Sequence, residues 1–199
     1  MLACGGVMAG RGYTIFDTAI GRCGIAWGEA GVVGVQLPEL REIETRKRLF
    51  QHYPDARETR PPEEIEIAIE GIAAILRGDD ADLTGVALDM SAIPAFNQRV
   101  YQTVRRIPRG ETRTYDEVAS ALRASGAAYS VAQALGRNPF MIIVPCHRVL
   151  EAGHYADRIS LNGGSVSKRR LLSIEGAQPT ISKTLFDVLL PVARPRPQA

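Results

Sequence analysis

The chain has 199 residues, 45% hydrophobic and 23% charged, an ordinary globular composition that excludes wholesale disorder and collagen-like order and suits one domain with a smaller one attached. No apolar run approaches the roughly 18 residues of a transmembrane helix, and the opening MLACGGVMAGRG lacks the charged and apolar regions of a secretory signal. Lys and Arg number 24 against 22 Asp and Glu, a net charge of +2, which taken alone argues against a strongly basic nucleic-acid binder. Three cysteines, Cys4, Cys23 and Cys146, cannot all pair, so no disulfide framework is implied. A reducing cytoplasm is the expected compartment, without secretion or membrane association.

In chain order, the N-terminal part reads as strands. Tyr13 to Ala19 mixes β-branched and aromatic residues, Gly24 to Trp27 is a short apolar run, and the turn signal Glu29-Ala30-Gly31 precedes Val32 to Leu37. Together they predict a small antiparallel sheet. Pro61-Pro62 opens a helix whose Ile65, Ile69, Ile72 and Leu76 share one face, and the polar run from Arg77 to Asp82 ends it.

A second block starts near Pro94. Phe96, Val100, Val104 and Ile107 recur at helical spacing, and Pro108-Arg109-Gly110 stops that helix. Thr114 and Glu117 form a T-x-x-E capping box that opens a short helix through Leu122. The turn Ala124-Ser125-Gly126 leads to another helix carrying Val131, Ala132 and Leu135. Two short helices around a Gly-containing turn suit a helix-turn-helix as well as an ordinary helical corner. An apolar run, Phe140 to Val144, feeds into Pro145-Cys146-His147-Arg148-Val149-Leu150, and a last helix covers about Val166 to Ile174 with Lys168, Arg169 and Arg170. The tail from Pro191 carries three prolines in nine residues and is expected to be disordered.

The net charge is a cancellation. Residues 1–93 hold 9 basic and 15 acidic residues, a balance of −6, whereas residues 94–199 hold 15 and 7, a balance of +8. The second block has the electrostatic footprint of a nucleic-acid binder. It also holds Cys146, a thiol next to an imidazole and a basic residue. A thiol reacts as its thiolate, which such neighbours favour. Adjacent side chains of an extended chain point apart, so His147 would have to act through a turn or a water.

The segment N-P-x(5)-P-C-H-R-V over residues 138–149 resembles the active-site signature of the O6-alkylguanine-DNA alkyltransferases, the methylated-DNA–protein-cysteine methyltransferases. The resemblance extends through F-N-Q-R-V-Y (96–101), I-P-R-G-E-T-R-T-Y (107–115), Gly163-Gly164 and K-R-R-L-L-S-I-E-G (168–176). It implies an α+β fold: a small N-terminal antiparallel sheet with a helix, RNase H-like, over residues 1–93; a mostly helical, winged helix-turn-helix-like domain over 94–178; and a tail over 179–199. It implies transfer of an alkyl group from O6 of a flipped-out guanine in double-stranded DNA to the protein itself, irreversibly, by a monomer needing no cofactor.

Carried over by motif, Cys146 is the nucleophile, His147 the base acting through a water, and Glu175 its orienter. Asn138 structures the turn holding the active-site strand, and Tyr115 presses on the target's phosphate and helps neutralise the leaving guanine. DNA contacts fall to Arg113, Ala128, Tyr129, Ser130, Gln133, Arg137 and Arg148. The alkylguanine pocket falls to Tyr115, Val149, Asn162, Gly163, Gly164 and Lys168. Some members hold a structural zinc with two Cys and two His; Cys4 and Cys23 lack a matching histidine pair, so no metal is expected.

Two positions depart from the family pattern. Tyr129 stands 17 residues before Cys146, where the family places an arginine that fills the gap left by the flipped base. Ser160-Leu161-Asn162 replaces an aromatic-containing pocket loop, after a stretch from Glu151 to Ile159 that looks about two residues longer than is common in the family. These departures keep two other readings in view: an offshoot acting on bulkier or different adducts, and a sensor that binds alkylated DNA without transfer.

Overall fold

A computed structural model describes residues 12–151 and 168–177. Strands β1 (Gly12–Thr18), β2 (Gly21–Gly28) and β3 (Gly31–Gln36) form an antiparallel meander close to the expected stretches. The strand order is β3-β2-β1-β4, where β4 (Arg57–Glu58) pairs with β1 in parallel, so the sheet is mixed rather than wholly antiparallel. Both hairpins turn on a glycine with positive φ, Gly21 at 126° and Gly31 at 117°, a region costly for any side chain.

Helix α1 (Glu42–His52) has no counterpart in the sequence reading. Only its Thr45 and Leu49 are buried, while Ile43 and Phe50 are 64% and 58% exposed, so no apolar stripe announces it. Arg46 ties it to itself at Glu42 (2.6 Å) and to β4 at Glu58 (2.7 Å). Helix α2 (Glu63–Arg77) buries Ile65, Ile72 and Leu76 as the periodicity predicts. The two helices cover opposite faces of the sheet: Leu49 of α1 packs with Ala26 and Val33, and α2 packs with the alternate residues Ile25, Trp27, Val32 and Val35. That larger core runs on without a break into the second half of the chain.

The second half begins with α3 (Ala95–Val104), which buries Val100, Tyr101 and Val104. Strand β5 (Arg113–Thr114) leads into α4 (Tyr115–Ala121), whose expected capping box forms in both directions. A turn with Arg123 and Gly126 at positive φ connects to α5 (Ala128–Gly136). The Tyr101 hydroxyl donates to the Ala134 carbonyl (2.9 Å) and pins α3 to α5. A 3-10 turn (Cys146–Arg148), β6 (Val149–Leu150) and α6 (Lys168–Ile174) complete the described chain.

Strands β5 and β6 pair in parallel. One expectation is revised. The apolar run from Phe140 to Val144 is no regular strand; single bridges join Phe140 to Val35 and Met141 to Val144. Between them Ile142 sits at φ 71°, a strained conformation for a β-branched residue. Residues Cys4, Asn162, Gly163, Gly164 and the tail over 179–199 lie outside the described residues. Among the described residues, no helix is long and apolar enough to cross a membrane.

A Cβ added to Gly31 would lie 2.4 Å from the Ala87 carbonyl oxygen, which cannot swing aside. Gly31→Ala should therefore lower stability by about 2 kcal/mol through the clash and the positive φ. The urea midpoint measures this loss; an unchanged midpoint would contradict the turn geometry.

Candidate active site

Three local devices bring the candidate groups together. The first is Asn138, whose Nδ2 donates to the Val144 carbonyl (3.0 Å) while its Oδ1 accepts from the Phe140 amide (2.9 Å). Both ends of the Ile142 turn are clamped by one buried side chain, which offsets strain of about 1–3 kcal/mol. The Cys146 amide then donates to the Val144 carbonyl (2.7 Å), and the Arg148 amide donates to the Pro145 carbonyl (2.9 Å), closing the 3-10 turn. This turn, rather than an extended strand, carries Cys146, His147 and Arg148, and all three are buried.

The second device is the short parallel ladder, Arg113 with Val149 and Thr114 with Leu150. It sets the first residue of α4, Tyr115, against the segment that follows the cysteine. The third is α6. Lys168 opens that helix, and Glu175 stands seven residues on, two turns along the same face. The helix ends in a Schellman arrangement: Gly176, at φ 68°, donates to the Ser173 carbonyl (3.2 Å) and the Ala177 amide to the Leu172 carbonyl (3.0 Å). Glu175 is thereby fixed at a defined corner.

One helix thus delivers a cation to one side of the cysteine turn and a carboxylate to the other. Lys168 Nζ donates to the Tyr115 hydroxyl (3.2 Å) and the Val149 carbonyl (3.0 Å). His147 Nε2 donates to Glu175 Oε1 (2.8 Å). Its Nδ1 is buried with no hydrogen-bond partner among the described residues. Glu175 is also gripped by Arg148, Nε to Oε2 and Nη2 to Oε1, both at 2.8 Å.

Arg148 therefore departs from expectation. It is 8% exposed and committed to Glu175 and the Ile107 carbonyl, so it is a buried structural cation and not a phosphate contact. Nor did the sequence reading single out Arg109, which reaches from the turn after α3 to the Gly78 carbonyl after α2 and the Ile174 carbonyl at the end of α6. The signals were present, in Gly78 and Gly176 as helix-ending glycines and a cation between them, but the pairing is not readable from sequence.

The electrostatics follow from burial and partners. Burial pushes the Cys146 thiol above its ordinary value, against the pull of Lys168, an Asn138 hydrogen bond and backbone amides. At rest it is a thiol and needs a base. Burial also lowers the His147 value, with Glu175 opposing and Arg148 and Lys168 adding to the fall. The imidazole is therefore neutral, with its proton on Nε2 toward Glu175 and a lone pair on Nδ1. Burial, Cys146 and Glu151 push Tyr115 up to about 12, so its phenol stays protonated.

The other DNA-contact candidates lie on the surface or close to it. On α5, Tyr129 is 75% exposed, Ser130 and Gln133 are exposed, and Ala128 is half-buried. Gln133 Nε2 donates to the Tyr129 hydroxyl (3.0 Å), one turn away. Arg113 is exposed and paired with Glu111 (2.8 Å). Arg137 lines a recess of about 80 Å³ with Gln36, His52 and Tyr53. Cys23 is buried in β2 and pushed up to about 12 by burial, an inert thiol. Among the described residues no cluster of three or more Cys, His, Asp or Glu could hold a metal.

A buried thiol with a His–Glu pair behind it, packed under a two-helix surface with an exposed aromatic residue, defines a class: DNA-binding proteins with a nucleophilic cysteine. Residues 95–177 match the family model "6-O-methylguanine DNA methyltransferase, DNA binding domain". A methylated-DNA–protein-cysteine methyltransferase of Methanothermobacter thermautotrophicus is 36% identical, over 77% of this chain and 78% of that one. Its counterpart in Mycobacterium bovis is 35% identical, over 88% of this chain and 98% of that one. The crystal structure of Mycobacterium tuberculosis O6-methylguanine methyltransferase superimposes with a TM-score of 0.62 at 30% identity, covering 85% of this chain and 96% of that one. A Mycobacterium tuberculosis OGT in complex with DNA gives 0.58 at 30% identity, over 82% and 91%. The chain belongs to the methylated-DNA–protein-cysteine methyltransferase family.

Hydrogen bonds from His147 and Arg148, with their charges, overcome burial and hold the Glu175 carboxyl at about 2, against an ordinary 4.5. A lowered folded-state value contributes stability that is present above the ordinary value and lost as pH falls toward 2. Acid unfolding should show this loss between about 4.5 and 2, and Glu175→Gln should flatten the curve in that window. A variant as steep as the wild type there would refute the buried-carboxylate assignment.

Proposed function

We propose that this chain repairs O6-alkylguanine in double-stranded DNA by taking the alkyl group onto Cys146. The observation that carries the reading is the buried Cys146 turn backed by the His147–Glu175 pair. His147 Nδ1 takes the thiol proton, directly or through a water, while ionised Glu175 holds Nε2 and stabilises the imidazolium. The thiolate attacks the alkyl carbon, a C–S bond forms, and the C–O6 bond breaks with its electron pair going to the guanine. Tyr115, protonated and held by Lys168, offers the proton or hydrogen bond that neutralises the leaving base. The thioether does not hydrolyse, so each molecule reacts once.

The DNA side of the proposal rests on α5. The target base must leave the stack to reach a buried thiol. Tyr129, projecting beside Ser130 and Gln133, is placed to stack in the space left behind. It supplies a ring where an arginine would supply charge, so its contribution depends little on salt.

Incubation with a duplex containing O6-methylguanine should add one methyl group to the peptide holding Cys146, read by mass spectrometry. Cys146→Ser should show no transfer, since an alcohol there is a far weaker nucleophile at neutral pH; methylation of the serine variant would contradict the thiolate mechanism. Tyr129→Ala should weaken binding to the same duplex roughly tenfold or more, given about 1–3 kcal/mol for a stacked base. Fluorescence anisotropy measures it, and unchanged affinity would remove Tyr129 from the interface.

A further inference from the structure

Arg148 has a further task in the reaction, and the inference rests on the reading of His147 as base. Its guanidinium uses all three nitrogens: Nε and Nη2 on the two oxygens of Glu175, and Nη1 on the carbonyl of Ile107 just beyond α3. Glu175 Oε1 is shared, accepting from Arg148 and from His147 at the same 2.8 Å. We propose that Arg148 is a positioning residue that fixes the proton of His147 on Nε2 and limits how strongly Glu175 can stabilise the imidazolium.

The argument is one of geometry and charge count. A lone buried carboxylate beside an imidazole draws a proton onto it, because an uncompensated anion in a low dielectric is costly. Glu175 is not alone. Arg148 neutralises it through a planar two-point fork, so His147 faces a neutral ion pair and keeps its Nδ1 lone pair for the thiol proton. The other charged or titratable groups around the imidazole are few. Lys168 lies on α6, Tyr115 on α4 is bound to Lys168, and Cys146 precedes His147 in the turn. None of them grips Glu175 among the described contacts. Lysine at 148 would keep the charge but lose the fork, which separates the two halves of the proposal.

The test is an NMR titration of the His147 imidazole in the resting protein without DNA, paired with the pH dependence of the transfer rate. In Arg148→Gln the His147 midpoint should rise by one pH unit or more, with the acid limb of the rate profile following it. In Arg148→Lys the midpoint should stay close to wild type while transfer slows about tenfold through lost orientation. An Arg148→Gln protein that folds with an unmoved or lowered midpoint overturns the proposal. Should Arg148→Gln fail to fold, an Arg148→Lys protein with wild-type rate and the Nε2 proton retained overturns it as well. The titration needs no alkyl transfer, so absence of transfer in the wild type would sink the proposed function and leave this result readable.

Discussion

A carboxylate buried in a protein core has to be surrounded by donors, and in this chain that requirement organises the second half. Glu175 accepts from His147 and twice from Arg148, and each donor belongs to the turn that carries Cys146. Removing Arg148 or Glu175 would leave the other's charge stranded in the interior, at a cost of several kcal/mol. The site is therefore a closed set: the thiol's turn is held by the last helix, and the last helix is held by the thiol's turn. Such mutual dependence defines one arrangement, although an apolar substitute would pack with less electrostatic cost.

The same helix supplies the opposite charge at its other end. Lys168 reaches Tyr115 and the Val149 carbonyl, so the first residue of α4 and the residue after the 3-10 turn share a donor. Helix α4 and the segment that carries Cys146 are joined here. The +8 balance of the second half is thus divided. Arg148 and Lys168 are internal, whereas Arg113 and Arg137 lie on the surface.

Much of this was legible in the sequence wherever a local rule and the tertiary structure agree. The capping box at Thr114 and Glu117, the apolar face of α2 and the turn at Gly31 were each readable because short-range chemistry decides them. The motif around Cys146 paired His147 with Glu175, and the two side chains meet at 2.8 Å. Three things were not readable. Helix α1 has a polar sequence and is fixed by ion pairs to other elements, which no periodicity reports. The parallel pairing of β4 joins segments far apart in sequence. Arg148 looked like a surface cation because arginine usually is one; its burial depends on Glu175, 27 residues away, being turned toward it by Gly176.

Arg109 joins the carbonyl ends of two helices, α2 from the first half and α6 from the second. Both ends carry partial negative charge, and one guanidinium satisfies both. The acidic half holds none of the candidate site residues, yet the far end of its longest helix is one anchor of the strap that seats Glu175. Its sheet edge is the other anchor, since the Val35 amide donates to the Pro139 carbonyl (2.8 Å) beside Asn138. The acidic half works as a jig: it grips the Cys146 segment at Pro139 and, through Arg109, the charge-bearing helix at Ile174, and so helps set the distance between them.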